Sequence, residues 1–384
     1  MSHAELHLVR AWRLTRGAGR GWRYGAIVIA ALVCLPIASL VWIAAQGSPD
    51  LWPHLIEHVL PRTVTVTVVM LLGVGVLAAA IGTVSAWLVT AYDFPGRGAL
   101  AWALLLPLAV PTYIVAYAYL DILHPVGAVQ DAIRWLLGYA SPREFRLPDV
   151  RSLPGCILLL GFVLYPYVYL TARAMFLTQA ASLIEVARTL GASRAGVFWR
   201  VALPLARPAI ALGVSLALME ALNDIGASEF LGVQTMTVSV YTSWISRGDL
   251  PGAAQIALIM LLLVVALIVV ERHARRNQRY AIAAQRSRLL PPVPLKGREA
   301  ALAFILCGLP ILLGFIVPAT YLTLEAIKRY RFATISSQIV RETLNTVMVS
   351  ALATVVVLAC GLIIAYAARL RDRKSSALRG ARRH

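Results

Sequence analysis

Apolar residues fall along this chain in eight long blocks, at 25–46, 63–92, 99–120, 155–172, 208–228, 253–270, 300–324 and 343–368, separated by polar, proline-bearing or arginine-rich segments. Seven of the blocks carry no charge; the fifth holds Glu220 and Asp224. A bilayer core takes about 20 helical residues to cross, so each block is long enough to span one. Lipid offers no partner to an unpaired backbone amide, so a spanning block must be a helix or part of a closed barrel. Barrel strands alternate lipid-facing and lumen-facing residues, and these blocks do not alternate. The pattern predicts an all-α, polytopic transmembrane helical bundle of about eight membrane helices.

Composition agrees. Of the 384 residues, 59% are hydrophobic and 14% charged, against about 25% charged in an average soluble domain, and the mean hydropathy is +0.74. The net charge of +18 would admit nucleic acid as a partner, but the charge is sorted by loop. With the N-terminus placed in the cytoplasm, segments 1–24, 93–98, 173–207, 271–299 and 369–384 hold five, one, five, eight and seven basic residues, which is 26 of the 36. The other side holds ten, balanced by ten acids. That is the positive-inside bias of an inner-membrane protein. It assigns the basic residues to topology and to anionic lipid rather than to nucleic acid. The first block lacks a small-residue cleavage site and reads as a retained helix. Cys34, Cys156, Cys307 and Cys360 all lie inside apolar blocks, as small packing residues, with no spacing that suggests a disulfide or a metal cluster.

Five regions follow: a basic cytoplasmic N-terminus at 1–24, a six-helix unit at 25–270, an Arg/Pro-rich cytoplasmic linker at 271–299, two further helices at 300–368 and a basic tail at 369–384. A shift of 279 positions aligns Arg62 with Arg341, Thr67 with Thr346, Gly82 with Gly361, Ala86 with Ala365 and Trp87 with Tyr366. Helices two and eight, six apart, run in the same direction, so the repeat is parallel with a six-helix unit. Inverted repeats of an odd helix number do not fit. The second copy supplies only its first two helices before the tail. The missing ones are expected either from beyond the end of this chain or from another polypeptide.

The segment between the fourth and fifth blocks carries a distinct pattern, Glu185-Val186-Ala187-x3-Gly191-x9-Val201-Ala202-Leu203-Pro204. Leu183, Val186, Ala187 and Leu190 share a helical face. Gly191 suits a helix C-terminus and Ser193 suits an N-cap. Pro204 is expected to end the second short helix, and Pro208 to open the next span. Such a helix–turn–helix is also what an ordinary amphipathic linker on the membrane surface would form. The spacing, however, resembles the EAA loop of ABC importer permeases (E-A-A-x3-G-x9-I-x-L-P), with valine at the middle alanine and at the isoleucine. The resemblance implies that 179–207 docks on an ABC ATPase subunit, with Glu185, Ala187, Gly191, Val201, Leu203 and Pro204 shaping the coupling element. No G-x-x-x-x-G-K-[ST] loop is present, so ATP and its magnesium are expected on that partner and no cofactor on this chain.

Glu220, Asn223 and Asp224 are three and four residues apart in the fifth block, on one helical face. Ionisable groups inside a span mark either a path or a structural pair; both roles fit. Beyond the loop, Leu106–Pro111 (LPLAVP), Tyr165–Leu170 (YPYVYL) and Leu218–Ala227 (LMEALNDIGA) resemble the fused two-half permeases of ferric-iron ABC importers. That resemblance implies alternating access, a periplasmic substrate-binding protein that hands over ferric iron, a second permease half and a bacterial inner-membrane location. Related permeases carry thiamine, polyamines or other small solutes. Two other functional classes have some support in the sequence or its topology. His54-Leu-Ile-Glu57-His58 matches the H-x-x-E-H pattern of a zinc protease, though no distant acidic ligand stands out. A passive channel would need no coupling segment.

Overall fold

Proline placement explains much of how these helices are built. The computed structural model describes residues 3–47, 53, 55–178, 189, 191–276, 292–330 and 337–381. It is almost wholly helical, with seven helices long and apolar enough to cross a membrane, or eight if one bent pair counts as a single span. In chain order the elements are α1 (His3–Ala45), α2 (Leu60–Ala91), β1 (Tyr92–Asp93), α3 (Arg97–Ala103), α4 (Thr112–Ile122), α5 (Ala128–Leu137), α6 (Leu153–Thr178), α7 (Arg194–Val197), α8 (Leu203–Asn223), α9 (Ile225–Phe230), α10 (Met236–Tyr241), α11 (Leu250–Arg276), β2 (Val293–Pro294), α12 (Gly297–Ile311), α13 (Val317–Tyr330) and α14 (Ser337–Ala381). β1 and β2 form one short parallel pair, Tyr92 opposite Val293.

Wide π-turns at Leu55–Val59, Phe198–Ala202 and Leu312–Ile316 each end two residues before a proline: Pro61, Pro204 and Pro318. Proline brings no N–H and clashes with the preceding turn. Widening that turn lets the helix continue instead of ending. The expectation that Pro204 stops a helix is therefore corrected: residues Arg194–Asn223 form one continuous 30-residue span, and Pro208 lies inside α8. Tyr119 Oη donates to the Leu313 carbonyl, inside the π-turn that precedes Pro318. We predict that Tyr119→Phe, which removes this bond, lowers stability by about 1 kcal/mol, read as a melting temperature reduced by a few degrees in detergent. An unchanged melt would remove the bond from the account.

Two predicted blocks are not single helices. The block 99–120 breaks at Val110 and Pro111, and its halves, Arg97–Ala109 and Thr112–Ile122, meet at 91°; Pro111 is extended, at φ −55°, ψ 138°. The block 208–228 breaks at Asp224, whose φ, ψ of −79°, 94° end α8 and start α9.

The chain divides into two compact units. One comprises 44–327 and the other 1–43 with 328–384. In the larger unit the core lies where α2, α6 and α8 meet, around Met70, Val74, Leu160, Tyr165, Val168 and Tyr169, all essentially inaccessible. Apolar surface gives no net drive between helices already in lipid, so close approach through small residues does the work. A Cβ on Gly82 would lie 2.7 Å from Val168 Cβ, and one on Gly213 would lie 2.6 Å from Val168 Cα, so α2 and α8 grip α6 at the same residue from two sides. Tyr169 Oη donates to the Ala101 carbonyl at 2.8 Å, tying α3 to this core. In the smaller unit α1 packs along α14, with the Trp22 and Tyr366 rings 4.8 Å apart and Ile363 3.2 Å from where a Gly25 Cβ would stand. Most other described side chains of α14 are exposed.

Candidate functional site

Two features of the larger unit gather the residues singled out in the sequence. The first is the segment before α8. Glu185 and Ala187 lie outside the described residues. Gly191 has φ +81°, the left-handed conformation that glycine enters without a Cβ penalty. Ser193 caps α7, its Oγ accepting the Gly196 N–H at 3.1 Å, as expected for a serine at that place. Gly191, Ala192, Ser193, Arg194 and Ala195 are exposed, and Trp199 is 65% exposed. On the inner face Val197 is buried, while Val201, Leu203 and Pro204 are half-buried. Phe198 packs against Trp87 at 5.4 Å between ring centroids, and Trp87 packs on Phe176 at 5.3 Å. Arg194 pairs with Glu299 at 2.9 Å, a bond between exposed groups that contributes little by itself. The segment is thus anchored to α2, and through Trp87 to α6, on one side and open on the other.

The second feature is a cavity of about 400 Å³ lined by residues that include Pro111, Thr112, Tyr113, Tyr167, Glu220, Asn223 and Asp224. It sits where two departures from a straight helix meet, the 91° break before α4 and the break at Asp224, against Val163, Leu164 and Tyr167 of α6. Gly226 permits the closeness, since a Cβ there would stand 2.6 Å from Tyr113 Cβ. Glu220 and Asn223 are exposed and Asp224 is half-buried. One Asp224 oxygen accepts the Ala227 N–H at 2.9 Å as the cap of α9; the other is buried without a protein partner among the described residues. The three expected residues therefore line one cavity, but Asp224 does not continue the helical face of Glu220. It carries a cap as well as a charge. Thr112, Tyr113 and Tyr167 join them from other segments. The sequence signal for this place was the interruption of apolar blocks by Pro107, Pro111 and Asn223-Asp224-Ile225-Gly226, since broken helices line sites in membrane proteins.

His54 lies outside the described residues, as does the His58 side chain, and Glu57 is exposed. Among the described residues no three His, Cys, Asp or Glu side chains come together as a metal site.

Comparison with known proteins places residues 78–280 in the family described as binding-protein-dependent transport system inner membrane component. A probable molybdenum ABC transporter permease of Haloferax volcanii is 29% identical over 275 residues, 70% of this chain and 96% of that protein. The molybdenum transport system permease ModB of Escherichia coli is 30% identical over 207 residues, 52% of this chain and 87% of its own length. The sulfate transport system permease CysT of the same organism is 26% identical over 241 residues. Among solved structures, a chain of a bacterial alginate ABC transporter, determined with its alginate-bound periplasmic protein, matches with a TM-score of 0.55 at 18% identity over 69% of this chain and 97% of the other. At that identity it supports the fold alone.

Proposed function

We propose that this chain, which belongs to the family of binding-protein-dependent transport system inner membrane components, forms the membrane path of an ATP-driven importer of a small solute. It spans the membrane several times, and its relatives in this family are permeases rather than enzymes. The observation that supports the coupled mechanism most is the unbroken helix from Arg194 to Asn223. At 1.5 Å per residue its 30 residues carry about 45 Å between an exposed, anchored segment and the rim of the acidic cavity. An ATPase subunit that binds residues 185–204 and changes shape with ATP would move that helix as a lever. The break at Asp224 would then tilt against the break at Pro111, and the cavity would open to one side or the other. ATP can bias this only through different affinities for the two arrangements. In this scheme ATP and magnesium sit on the partner, and a solute-binding protein delivers cargo from the opposite face.

The relatives named for molybdenum and sulfate transport make a small tetrahedral oxyanion the first cargo to test. On that reading Asp224 serves mainly as the cap of α9. A second reading, ferric iron, is favoured by one observation: two carboxylates line the cavity, and they attract a cation and repel an anion. Uptake should be measured with the assembled permease, its ATPase and its binding protein, using labelled molybdate, sulfate and iron-55. The oxyanion reading expects uptake of the first two, with Glu220→Gln changing the rate by no more than about twofold or raising it. The iron reading expects iron uptake and at least a tenfold loss with the same substitution. ATP-independent equilibration of any of them would contradict the coupled mechanism.

A further inference from the structure

A second polar cavity, of about 440 Å³, opens beside the C-terminal turn of α2, lined by residues that include Val89, Asp93, Arg97, Trp102 and Arg173. Val89 lies in the closing turn of α2, which ends at Ala91, and Arg173 is the first charge after the apolar block 155–172 of α6. The cavity is therefore level with the end of α2 and of that apolar block, where a bilayer places its headgroups. Arg97 is half-buried; its Nε donates to the Val89 carbonyl at 2.8 Å, which aims the rest of the guanidinium along the cavity. Its pairing with Asp93 is loose, at 3.6 Å, and the Asp93 side chain is 61% exposed. Arg173 is half-buried and has no carboxylate within salt-bridge distance among the described residues. The contact recorded for its guanidinium is the face of Tyr169, 6.0 Å from the ring centroid. Two guanidinium groups against one exposed carboxylate leave a net positive cavity. Beside it Trp102 stands 75% exposed, the residue type that settles at headgroup level.

We infer that Arg97 and Arg173, with Trp102 as the interfacial anchor, bind the phosphate of an anionic phospholipid in the leaflet at which α2 ends. Guanidinium offers phosphate a planar, two-pronged fork. A lipid explains what a free anion does not: the exposed tryptophan, and the position at the level of the headgroups. The inference rests on the chain crossing a membrane and is independent of the cargo or the ATPase. Its consequence reaches them, because Arg173 stands one turn from Phe176, which with Trp87 and Phe198 anchors the exposed segment before α8.

Native mass spectrometry of the full chain in detergent tests it, with phosphatidylglycerol and phosphatidylcholine added in equal amounts. The wild type should retain phosphatidylglycerol at least tenfold more than phosphatidylcholine. Arg97→Gln/Arg173→Gln should lose that preference. Arg272→Gln, an exposed arginine outside the cavity, should keep it. Should the double variant aggregate, Arg173→Lys gives the same readout, with retention at least threefold weaker. No preference in the wild type, or the same preference in the double variant or in Arg173→Lys, would overturn the assignment. So would full displacement of the lipid by an equal concentration of inorganic phosphate, which would make this a free-anion site.

Discussion

Gly191→Val should weaken capture of the ATPase subunit by this chain at least tenfold while leaving the membrane bundle intact, and Gly191→Asn should bind nearly as well as the wild type. The contrast follows from one dihedral angle. Gly191 holds φ +81°, and a Cβ placed there would meet no atom within 4 Å. Any penalty is therefore in the backbone, not in packing. A left-handed conformation costs an ordinary L-residue about 1–2 kcal/mol and is a marked outlier for a β-branched one, whereas asparagine enters it readily. Valine should move the turn out of this conformation and re-aim the stretch before it relative to Ser193 and Trp199. Loss of about 2 kcal/mol of preorganisation predicts at least a tenfold fall in binding. The check is a pull-down of the ATPase at several concentrations, with the melting temperature as the control. Equal binding by the valine and asparagine variants would show that the turn does not shape the docking segment.

The second large effect concerns the grip on α6. Gly82→Leu and Gly213→Leu should each reduce recovery of folded, monodisperse chain from detergent at least tenfold. A Cβ at Gly82 would stand 2.7–2.8 Å from Val168 Cβ, the Tyr165 carbonyl and the Tyr169 amide; one at Gly213 would stand 2.4–2.9 Å from Thr171 Oγ1, Val168 Cα and the Tyr167 carbonyl. Backbone cannot yield there without parting the helices, and overpacking far milder than this costs about 1–3 kcal/mol. Gly361 is the counterpart of Gly82 in the internal repeat, and a Cβ on it would meet nothing within 4 Å. Gly361→Leu should leave recovery within about twofold of wild type. If Gly361→Leu were as damaging as Gly82→Leu, the face of α14 would be packed in a way the structure does not contain.

Much of this bundle was legible in the sequence because lipid enforces a simple rule. An uncharged apolar block of sufficient length has no alternative to helix, and the eight blocks correspond to the seven spans and the bent pair. Ser193 and Gly191 were legible because their conformational preferences are local. What was hidden depended on how a helix responds to proline. At Pro111 the chain turns through 91°, yet at Pro204 it continues through a π-turn. Both prolines sit next to apolar residues, and a proline in such a place is compatible with either outcome. The cavity was half legible. Glu220 and Asp224 stood out as charges in a span. Thr112, Tyr113 and Tyr167 reach the same place only because separate segments break or bend there. The dual use of Asp224, one oxygen capping α9, follows from the break and could not precede it. The two expected coupling residues Glu185 and Ala187 lie outside the described residues.

In the proposed mechanism the exposed segment beginning at Gly191 is the handle by which a separate ATPase moves the long helix from Arg194 to Asn223. This role is tested most directly by labelling Ala192→Cys, in a background where the four native cysteines are replaced, with a membrane-impermeant maleimide. The account predicts labelling in inside-out vesicles, none in intact cells, and protection when the ATPase is bound. Labelling from the outer side, or labelling that the ATPase leaves unchanged, would contradict it.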